Sequence, residues 1–461
     1  MSEPWDGVPE NDPARRTDLD GVPAAPAEET DRPGGSYGAE DVLAPSPSGD
    51  GAARHNRASR SSPWNRGRDR LIAATIAVVV LITASIIALT SESNATDTTV
   101  ATTPVPLPAA PGAVPGSLTE LWQARSAATP TPIGESDTVV TADDGEVAGR
   151  DPLTGKIRWH YSRDLQFCTV ADGFSKVNAV YRNGDSCSEI TQLDPATGRR
   201  TAQRNGDAEL GTQLIGDGGH VTATGKKLLN TWRDDLVLSV EYGKVPAIVN
   251  PDKQPRTGCT YGTVAAAASK VGVIERCEGD PADRLTVFKT NGEHSDAPQS
   301  VFSSVLAGRQ AKVVAMSGDF TAVALPEQKL LVIYGVDGTQ RSAYPLGVPT
   351  GDIAQDPPGG VMTSTRTASG VYWFTGSKTL ALSRDDLTPR WTLDGTMGPG
   401  ITFAGQLVVP IKGGLAVLNE ETGATIRTVG VDRRGYTGPV QLTALGPVLL
   451  EQRGDMLAAL K

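Results

Sequence analysis

The sequence predicts an all-β fold, a β-propeller, that one helix near the N-terminus anchors in a membrane. Three observations support this prediction. A turn motif between two short strands recurs along most of the chain, one uncharged apolar segment precedes the repeats, and all four cysteines follow that segment. These features divide the 461 residues into a tail (1–70), a transmembrane helix (71–90), a linker (91–117) and the propeller (118–461).

The tail, residues 1–70, is predicted to be disordered and cytoplasmic. Its first part is rich in Pro, Gly, Ala, Ser and acidic residues, and it shows neither a helical nor a strand-like hydrophobic period. Such a segment cannot bury enough apolar surface to offset the loss of chain entropy on folding.

Residues 71–90 read LIAATIAVVVLITASIIALT, without a charge, a proline or a glycine. Twenty helical residues reach about 30 Å, which matches the hydrocarbon core of a bilayer. A cleaved secretory signal is the alternative, but its apolar region is usually about 7–15 residues long and follows a short basic start. We therefore predict an uncleaved anchor.

The charges on either side of the apolar segment predict its direction. Arginines precede it at positions 54, 57, 60, 66, 68 and 70, and no basic residue follows it until Arg125. Positive residues are retained in the cytoplasm. The N-terminus is thus predicted to be cytoplasmic, and residues 91–461 to lie outside the cytoplasm, in a single-pass arrangement at the cell membrane.

The linker, residues 91–117, is rich in threonine and then in proline. Proline-rich chain is extended and semi-rigid, so we expect it to hold the propeller away from the membrane. Its composition also permits O-glycosylation outside the cell.

The clearest repeat is EVAGRDPLTGKIRW, Glu146–Trp159. It reads as two strands joined by Asp-Pro-x-Thr-Gly, in which Pro fixes φ and Gly supplies the positive φ of a tight turn. The motif recurs in Ile190–Ala202 and Leu415–Arg427. Looser copies are Leu285–Ser295, Leu331–Ala343 and Leu380–Trp391.

The repeat period, about 45 residues, is typical of propeller blades, whereas a two-sheet sandwich has no reason to repeat a turn at fixed spacing. The double interval between Gly198 and Gly292 predicts a degenerate copy around Asp234–Gly243, with its turn at Gly243. Leu118–Trp122 should supply the last strand of the blade that contains Asp455–Lys461 and so remove a free edge. The count is eight blades, or seven if one loose copy is an elaborated loop.

The repeat resembles that of the PQQ-like (quinoprotein-type) propellers over about residues 118–461. The matching residues are Asp151, Thr154, Gly155, Lys156 and Trp159, and Trp122 and Trp391 match the tryptophan position. The resemblance implies that these tryptophans dock between neighbouring blades. The composition and the Thr/Pro stalk also resemble those of uncharacterised single-pass membrane propeller proteins of actinobacteria.

The four cysteines form two pairs with similar surroundings, because a Ser-Lys-Val run lies within each pair. We predict the disulfides Cys168–Cys187 and Cys259–Cys277, each bridging the first and second strands at the same place in two blades, in an oxidising compartment. A metal site is the alternative, but no closely spaced Cys or His ligand pairs occur. No metal is therefore predicted.

No catalytic residue and no cofactor are predicted. The chain lacks the adjacent cysteines of many quinoprotein dehydrogenases, and it contains no GxSxG, HExxH or phosphate-loop motif. His220 stands alone in a glycine-rich loop, where a histidine is typically exposed to solvent.

The most irregular stretch is Thr231–Gly258, which we predict to be a partner-binding loop. Its candidate contact residues are Trp232, Arg233, Tyr242 and Arg256, because aromatic residues and arginine are favoured at interfaces. The alternative is a long connection that packs on its own blade.

The predicted function is a membrane-anchored, extracytoplasmic, non-catalytic binding or scaffold module of the cell envelope, as the resemblance to scaffold propellers implies. Expected partners are envelope or membrane proteins, or an envelope polymer. The net charge of −10 argues against nucleic acid. The alternative is a degenerate quinoprotein-type enzyme, or another enzyme that uses the propeller channel.

Overall fold

The computed structural model describes residues 67–90 and 96–461, so the prediction of a disordered tail lies almost entirely outside the described residues. Helix α1 runs from Gly67 to Thr90 and contains the predicted span. At about 1.5 Å per residue, its 24 residues are long and apolar enough to cross a membrane.

Residues 118–461 form eight four-stranded antiparallel sheets, which confirms the eight-bladed propeller. Blade 1 holds β3 (Ile133–Glu135), β4 (Thr138–Asp143), β5 (Glu146–Arg150) and β6 (Ile157–Arg163), and blade 2 holds β7 (Phe167–Gly173), β8 (Lys176–Asn183), β9 (Ser186–Leu193) and β10 (Arg200–Ala208). Blade 3 holds β11 (Leu214–Gly216), β12 (Val221–Ala223), β13 (Leu228–Trp232) and β14 (Leu238–Gly243), and blade 4 holds β15 (Thr260–Ala267), β16 (Lys270–Arg276), β17 (Arg284–Lys289) and β18 (Ser300–Val305).

The second half of the ring repeats this arrangement. Blade 5 holds β19 (Lys312–Met316), β20 (Phe320–Leu325), β21 (Leu330–Gly335) and β22 (Gln340–Pro345), and blade 6 holds β23 (Ser364–Arg366), β24 (Gly370–Phe374), β25 (Lys378–Ser383) and β26 (Pro389–Asp394). Blade 7 holds β27 (Ile401–Phe403), β28 (Gln406–Ile411), β29 (Gly414–Leu418) and β30 (Thr425–Gly430). Two short 3₁₀ helices, Thr350–Ile353 and Pro358–Gly360, lie between blades 5 and 6. Apolar side chains pack within and between adjacent blades, as Val139 of blade 1 does against Val448 and Leu450 of blade 8.

Blade 8 closes the ring with a strand from each end of the domain. It holds β31 (Val440–Leu445), β32 (Val448–Arg453), β33 (Met456–Leu460) and, antiparallel to β33, the early strand β2 (Glu120–Arg125). The closing strand predicted around Leu118–Trp122 is thus confirmed.

A buried ion-pair network reinforces this closure. The carboxylate of Glu451, with no exposed surface, accepts hydrogen bonds from Arg433 (2.8 and 3.0 Å) and from Nε of Arg453 (2.8 Å). The guanidinium of Arg453 also reaches Glu120 of β2 at 3.0 Å. Because these groups are withdrawn from water, each depends on the others for compensation of its charge.

The Asp-x-x-Thr-Gly turns have a local cause. The carboxylate of Asp151 accepts hydrogen bonds from the amide and the hydroxyl of Thr154, each at 2.9 Å, and Asn419 holds Thr422 in the same way. Gly155 then adopts φ +71°, which residues with a Cβ rarely adopt. The motif therefore forms the turn through the hydrogen bonds of its Asp or Asn side chain and through the positive φ of its glycine.

Three tryptophans dock onto the turns of the next blade, as the family resemblance implies. The indole N–H groups of Trp122, Trp159 and Trp391 donate to the carbonyl oxygens of Pro152, Pro195 and Glu420, each at 2.9 Å. Each ring lies against the turn glycine, where a Cβ would approach ring atoms to within about 2.6 Å. Glycine is needed at these positions for space as well as for φ.

The turn of blade 3 was predicted at the wrong residue. A degenerate copy does lie at Asp234–Gly243, but its turn connects β13 and β14 at 233–237, and Gly243 ends β14. Leu236 adopts φ +59° there, and Leu387 adopts φ +58° in blade 6 after the same Arg-Asp-Asp-Leu sequence. Both leucines are buried, so packing compensates for a conformation that normally favours glycine.

Both predicted disulfides are formed, but they are not equivalent. Cys259 and Cys277 flank the first two strands of blade 4, as predicted. Cys168 lies in the first strand of blade 2 and Cys187 in the third. The prediction that both bridge the first and second strands is therefore wrong for this pair, because β8 turns back at Gly184, which has φ +60°, before Cys187 is reached.

Part of the predicted linker packs on the propeller, and whether the linker holds the propeller away from the membrane stays a prediction. Residues 96–99 form β1, which pairs antiparallel with β6 and adds a fifth strand to blade 1. Further along, the amide of Ala101 donates to Thr197 O (2.9 Å), and that of Val114 donates to Gln406 Oε1 (3.0 Å). An extended segment leaves its backbone groups unpaired, and here several of them find partners on the propeller.

Candidate functional site: the central channel

The first strand of each blade faces the central channel, and the two ends of the channel differ. We call the face with the first-to-second and third-to-fourth strand connections the turn face. The opposite face, which carries the second-to-third turns and the connections between blades, is called the loop face.

Residues 346–363, the crossing loop, connect blade 5 to blade 6. They cover the channel at the loop face and extend across it as far as the start of blade 3. Val361 pairs in parallel with Val264 of β15, and Gly359 lies against Gln213 at the start of blade 3. The connection therefore packs against the inner strands of other blades before it enters β23.

An ion-pair cluster holds the crossing loop in place. The carboxylate of Asp356 lies 2.5 Å from Nη1 of Arg276 and 2.5 Å from Nζ of Lys312, which is almost completely buried. Burial alone would raise the pKa of Asp356, but the hydrogen bonds from Arg276 and Lys312 outweigh this effect and lower the pKa to about 2. Asp356 is thus ionised at neutral pH, as its two cationic partners require.

A cavity of about 520 Å³, the channel pocket, lies toward the turn face. Blades 1, 2 and 3 form most of its wall, and β23 of blade 6 contributes from the other side. Its size is within the usual range for small-molecule sites. The chemically distinctive lining residues are Thr131, Asp172, Phe174, His220, Ser364 and Arg366.

Asp172, near the end of β7, supplies the carboxylate of the channel pocket. It is accessible to solvent, yet protein surrounds it on most sides, and this enclosure raises its pKa. Among the described residues, no side chain donates to it or forms an ion pair with it. The carboxylate is therefore available to a ligand.

His220 is held in the pocket wall by a buried acid. Its Nδ1 lies 3.4 Å from Oδ2 of Asp217 and 3.1 Å from Oγ1 of Thr290, which in turn donates to Asp217 at 2.5 Å. The histidine side chain is only 13% exposed, so the expectation of a solvent-exposed loop histidine is wrong. These contacts use Nδ1 and leave Nε2 without a partner among the described residues.

Arg366 enters the pocket from blade 6. Its guanidinium donates to the carbonyl oxygen of Met316 in blade 5, and burial, together with the nearby charge of Arg384, lowers its pKa. In the described part of the chain, no carboxylate pairs with it. The pocket thus gathers a carboxylate, an imidazole and a guanidinium that do not neutralise one another.

The structure separates the four predicted partner-binding residues. Trp232 is 2% exposed in β13 and packs in the core, and Tyr242 is fully buried in β14. The Tyr242 hydroxyl donates to Glu275 at 2.6 Å. Their burial contradicts a direct contact with a partner, because the aromatic residues that favour interfaces also favour cores.

The two arginines of that prediction have different environments. Arg256 lies 3.3 Å from Glu275 and 2.6 Å from Asp280, so it is engaged within the domain. Arg233 is half-exposed, and among the described residues it forms an ion pair only with Asp235, two residues away. A partner contact through Arg233 stays a prediction.

Residues 246–249, the apolar tip, are the exposed part of the same stretch. Ile248 and Val249 are 55% and 81% exposed. Asp296 fixes the backbone of the tip. Its carboxylate accepts hydrogen bonds from the amides of Val249 (2.8 Å) and Asn250 (2.6 Å) and from Nδ2 of Asn250 (2.7 Å). The exposed apolar side chains of this stretch are thus aliphatic rather than aromatic.

No family model and no curated protein matches the chain. Among solved structures, the computationally designed Ika8 protein is 13% identical, with a TM-score of 0.50 over 75% of this chain and 99% of that one. BamB from Moraxella catarrhalis is 16% identical over 75% and 99% of the two chains (TM-score 0.45). The quinohemoprotein alcohol dehydrogenase from Comamonas testosteroni is 11% identical over 77% and 78% (TM-score 0.45).

Identities this low show the fold alone. Membership of the PQQ-like repeat family stays a prediction, as does the resemblance to actinobacterial membrane propellers.

Proposed function

We propose that the protein is a membrane-anchored, extracytoplasmic, non-catalytic binding module of the cell envelope. Its partner is an envelope or membrane protein, or an envelope polymer, and a charged segment of that partner enters the channel pocket. The observation that carries this proposal is the convergence of Asp172, His220 and Arg366 from three blades on one cavity.

The chemistry of the pocket favours a ligand that carries both signs of charge. Arg366 suits a carboxylate or phosphate, and Asp172 suits an ammonium group or another donor. Strands of a closed ring carry Asp172 and Arg366, and contacts with Asp217 and Thr290 hold His220. These groups are therefore positioned before the ligand arrives, which reduces the entropy lost on binding.

The proposed location rests on two independent features. The arginines before α1 favour a cytoplasmic N-terminus, and the two disulfides suit an oxidising compartment on the other side of the membrane. A test is to place a protease-accessible tag in the turn at 336–339 and to treat intact cells. Cleavage there supports the orientation, and complete protection contradicts it.

Crosslinking in intact cells tests the binding proposal. The wild-type chain should recover a partner, and Arg366→Gln and Asp172→Asn should each reduce that recovery. Arg341→Gln is the matched control, because Arg341 is an exposed arginine that pairs with Asp337 on the turn face, away from the pocket. Recovery that is unchanged by both pocket variants would contradict the role of the pocket.

One observation favours an enzyme as the second candidate. A histidine fixed by a buried aspartate, with its other nitrogen unpaired in a cavity beside a second acid, is a common general acid–base arrangement. This candidate covers a degenerate quinoprotein and any other enzyme that uses the channel. Binding of added PQQ and calcium, or turnover of an envelope substrate that His220→Gln abolishes, would replace the non-catalytic proposal.

A further inference from the structure

The tether between the membrane and the propeller is short, because strand pairing begins soon after the helix. Helix α1 ends at Thr90, and Thr96 is already paired with Arg163 of blade 1. Six Cα-to-Cα steps separate these two residues, which limits their separation to about 20 Å. If α1 spans the membrane, as the proposed function requires, the edge of blade 1 must lie close to the lipid surface.

The tether joins blade 1 at the rim of the loop face. Arg163 is the last residue of β6, and its amide donates to the carbonyl oxygen of Gly145 in the second-to-third turn of that blade. From Thr96 to Thr99, strand β1 runs away from this rim toward the turn face. The chain therefore reaches the propeller on the loop-face side.

The loop face also carries exposed groups that suit a lipid surface. The apolar tip, with Ile248 and Val249, belongs to the connection between blades 3 and 4 on this face. Exposed lysines lie beside it, Lys226 and Lys227 in the second-to-third turn of blade 3 and Lys244 at the start of the connection. The amide of Lys244 donates to the carbonyl of Lys227 (2.8 Å), so the two backbones adjoin.

These lysines are available to an external anion. The nearby carboxylate of Glu209 accepts from the backbone amides of Lys226 and Lys227, and none of the three ammonium groups has an ion-pair partner among the described residues. An apolar tip beside unpaired lysines is the composition of surfaces that contact anionic membranes.

We infer that the loop face rests on the membrane, with the apolar tip in the headgroup region and Lys226, Lys227 and Lys244 facing anionic lipid phosphates. The inference rests on the proposed function in one respect, the membrane anchor. In this orientation the crossing loop lies on the membrane side of the channel, and the channel pocket lies toward the opposite side.

The experiment uses the full-length chain in vesicles, with an environment-sensitive fluorophore on one introduced cysteine. All four native cysteines are in disulfides, so the introduced thiol is labelled selectively. Val249→Cys reports on the apolar tip. Val336→Cys is the matched control, because Val336 is an exposed valine in a turn-face hairpin.

In vesicles of phosphatidylcholine with phosphatidylglycerol, the label at position 249 should emit at shorter wavelength than the label at position 336. It should also be protected from an aqueous quencher roughly threefold or more, as expected for a group at the headgroup boundary. Adding Lys226→Glu and Lys227→Glu should reduce this protection in the anionic vesicles.

Two outcomes would overturn the inference. Equal quenching at positions 249 and 336 would mean that the loop face does not meet lipid. Protection at position 249 in native membranes but not in pure lipid vesicles would mean that a protein covers the tip. Alkaline carbonate extraction separates these results from a failure of the anchor, because a chain that is washed out of vesicles contradicts the membrane anchor itself.

Discussion

Substituting Gly198 by alanine tests the blade-docking arrangement most directly. Gly198 adopts φ +75° in the turn of blade 2, and an added Cβ would come within 2.6 Å of Cδ2 and Cε3 of Trp159. The ring cannot move away easily, because Trp159 is fully buried and its N–H is hydrogen-bonded to Pro195. The substitution therefore adds a steric cost to a conformational one.

The two costs can be separated with Gly405→Ala. Gly405 adopts φ +69°, but a Cβ there would meet nothing within 4 Å. The left-handed conformation should cost each variant about 1–2 kcal/mol. Overpacking against Trp159 should cost Gly198→Ala about 1–3 kcal/mol more.

The measurement is the free energy of unfolding by urea of the full-length chain in detergent, followed by tryptophan fluorescence. We expect Gly198→Ala to lose about 2 kcal/mol more stability than Gly405→Ala. If the two variants lose equal stability, the close contact between turn and ring does not contribute to the stability of the fold, and the docking argument fails.

Three further predictions concern the charge network, a disulfide and pH. Glu451→Gln should destabilise the propeller by about 3 kcal/mol in denaturant titration, because two buried arginines lose their shared counter-charge; a loss below 1 kcal/mol would refute this. Replacing Cys259 and Cys277 together by serine should lower the free energy of unfolding by about 3 kcal/mol, since the disulfide closes a loop of 18 residues in the unfolded chain. Unchanged stability in the double variant would show that this loop closure does not restrict the unfolded chain. Burial, and after it two neighbouring aspartates, raise the pKa of Glu241 from 4.5 to about 7. The folded state therefore binds the carboxyl proton of Glu241 more tightly than the unfolded state does. The free energy of unfolding should fall as pH rises from 4.5 to about 7, and Glu241→Gln should make that fall smaller in thermal melts measured over this pH range.

Local chemistry explains why the propeller could be predicted from the sequence. The turns at Asp151 and Asn419 depend on residues three and four positions away, and the ring closure depends on counting such turns. The turn at Leu236 was predicted at the wrong residue because tertiary packing, rather than a glycine, stabilises the positive φ of Leu236.

The channel pocket could not be predicted in the same way. Asp172 and Arg366 belong to blades 2 and 6, and nothing near either residue in the sequence marks them as neighbours in one cavity. For His220, the nearby Asp217 was a local signal, but its contact with Thr290 depends on the packing of blade 4 against blade 3. The partner-binding prediction failed at Trp232 and Tyr242 because aromatic residues alone do not distinguish an interface from a core.

The closing strand β2 also has a consequence for biosynthesis. Thr119, just before β2, pairs through its backbone with Lys461, 342 residues later. At translation rates of about 5–20 residues per second, β2 waits roughly 20–70 s for its partner strand to be made. Its backbone is an unpaired edge during this interval, and such edges recruit strands from other chains. If α1 anchors the nascent chain in a membrane, neighbouring copies can exchange closing strands during this interval. Local crowding of ribosomes should then influence the yield of correctly closed propellers.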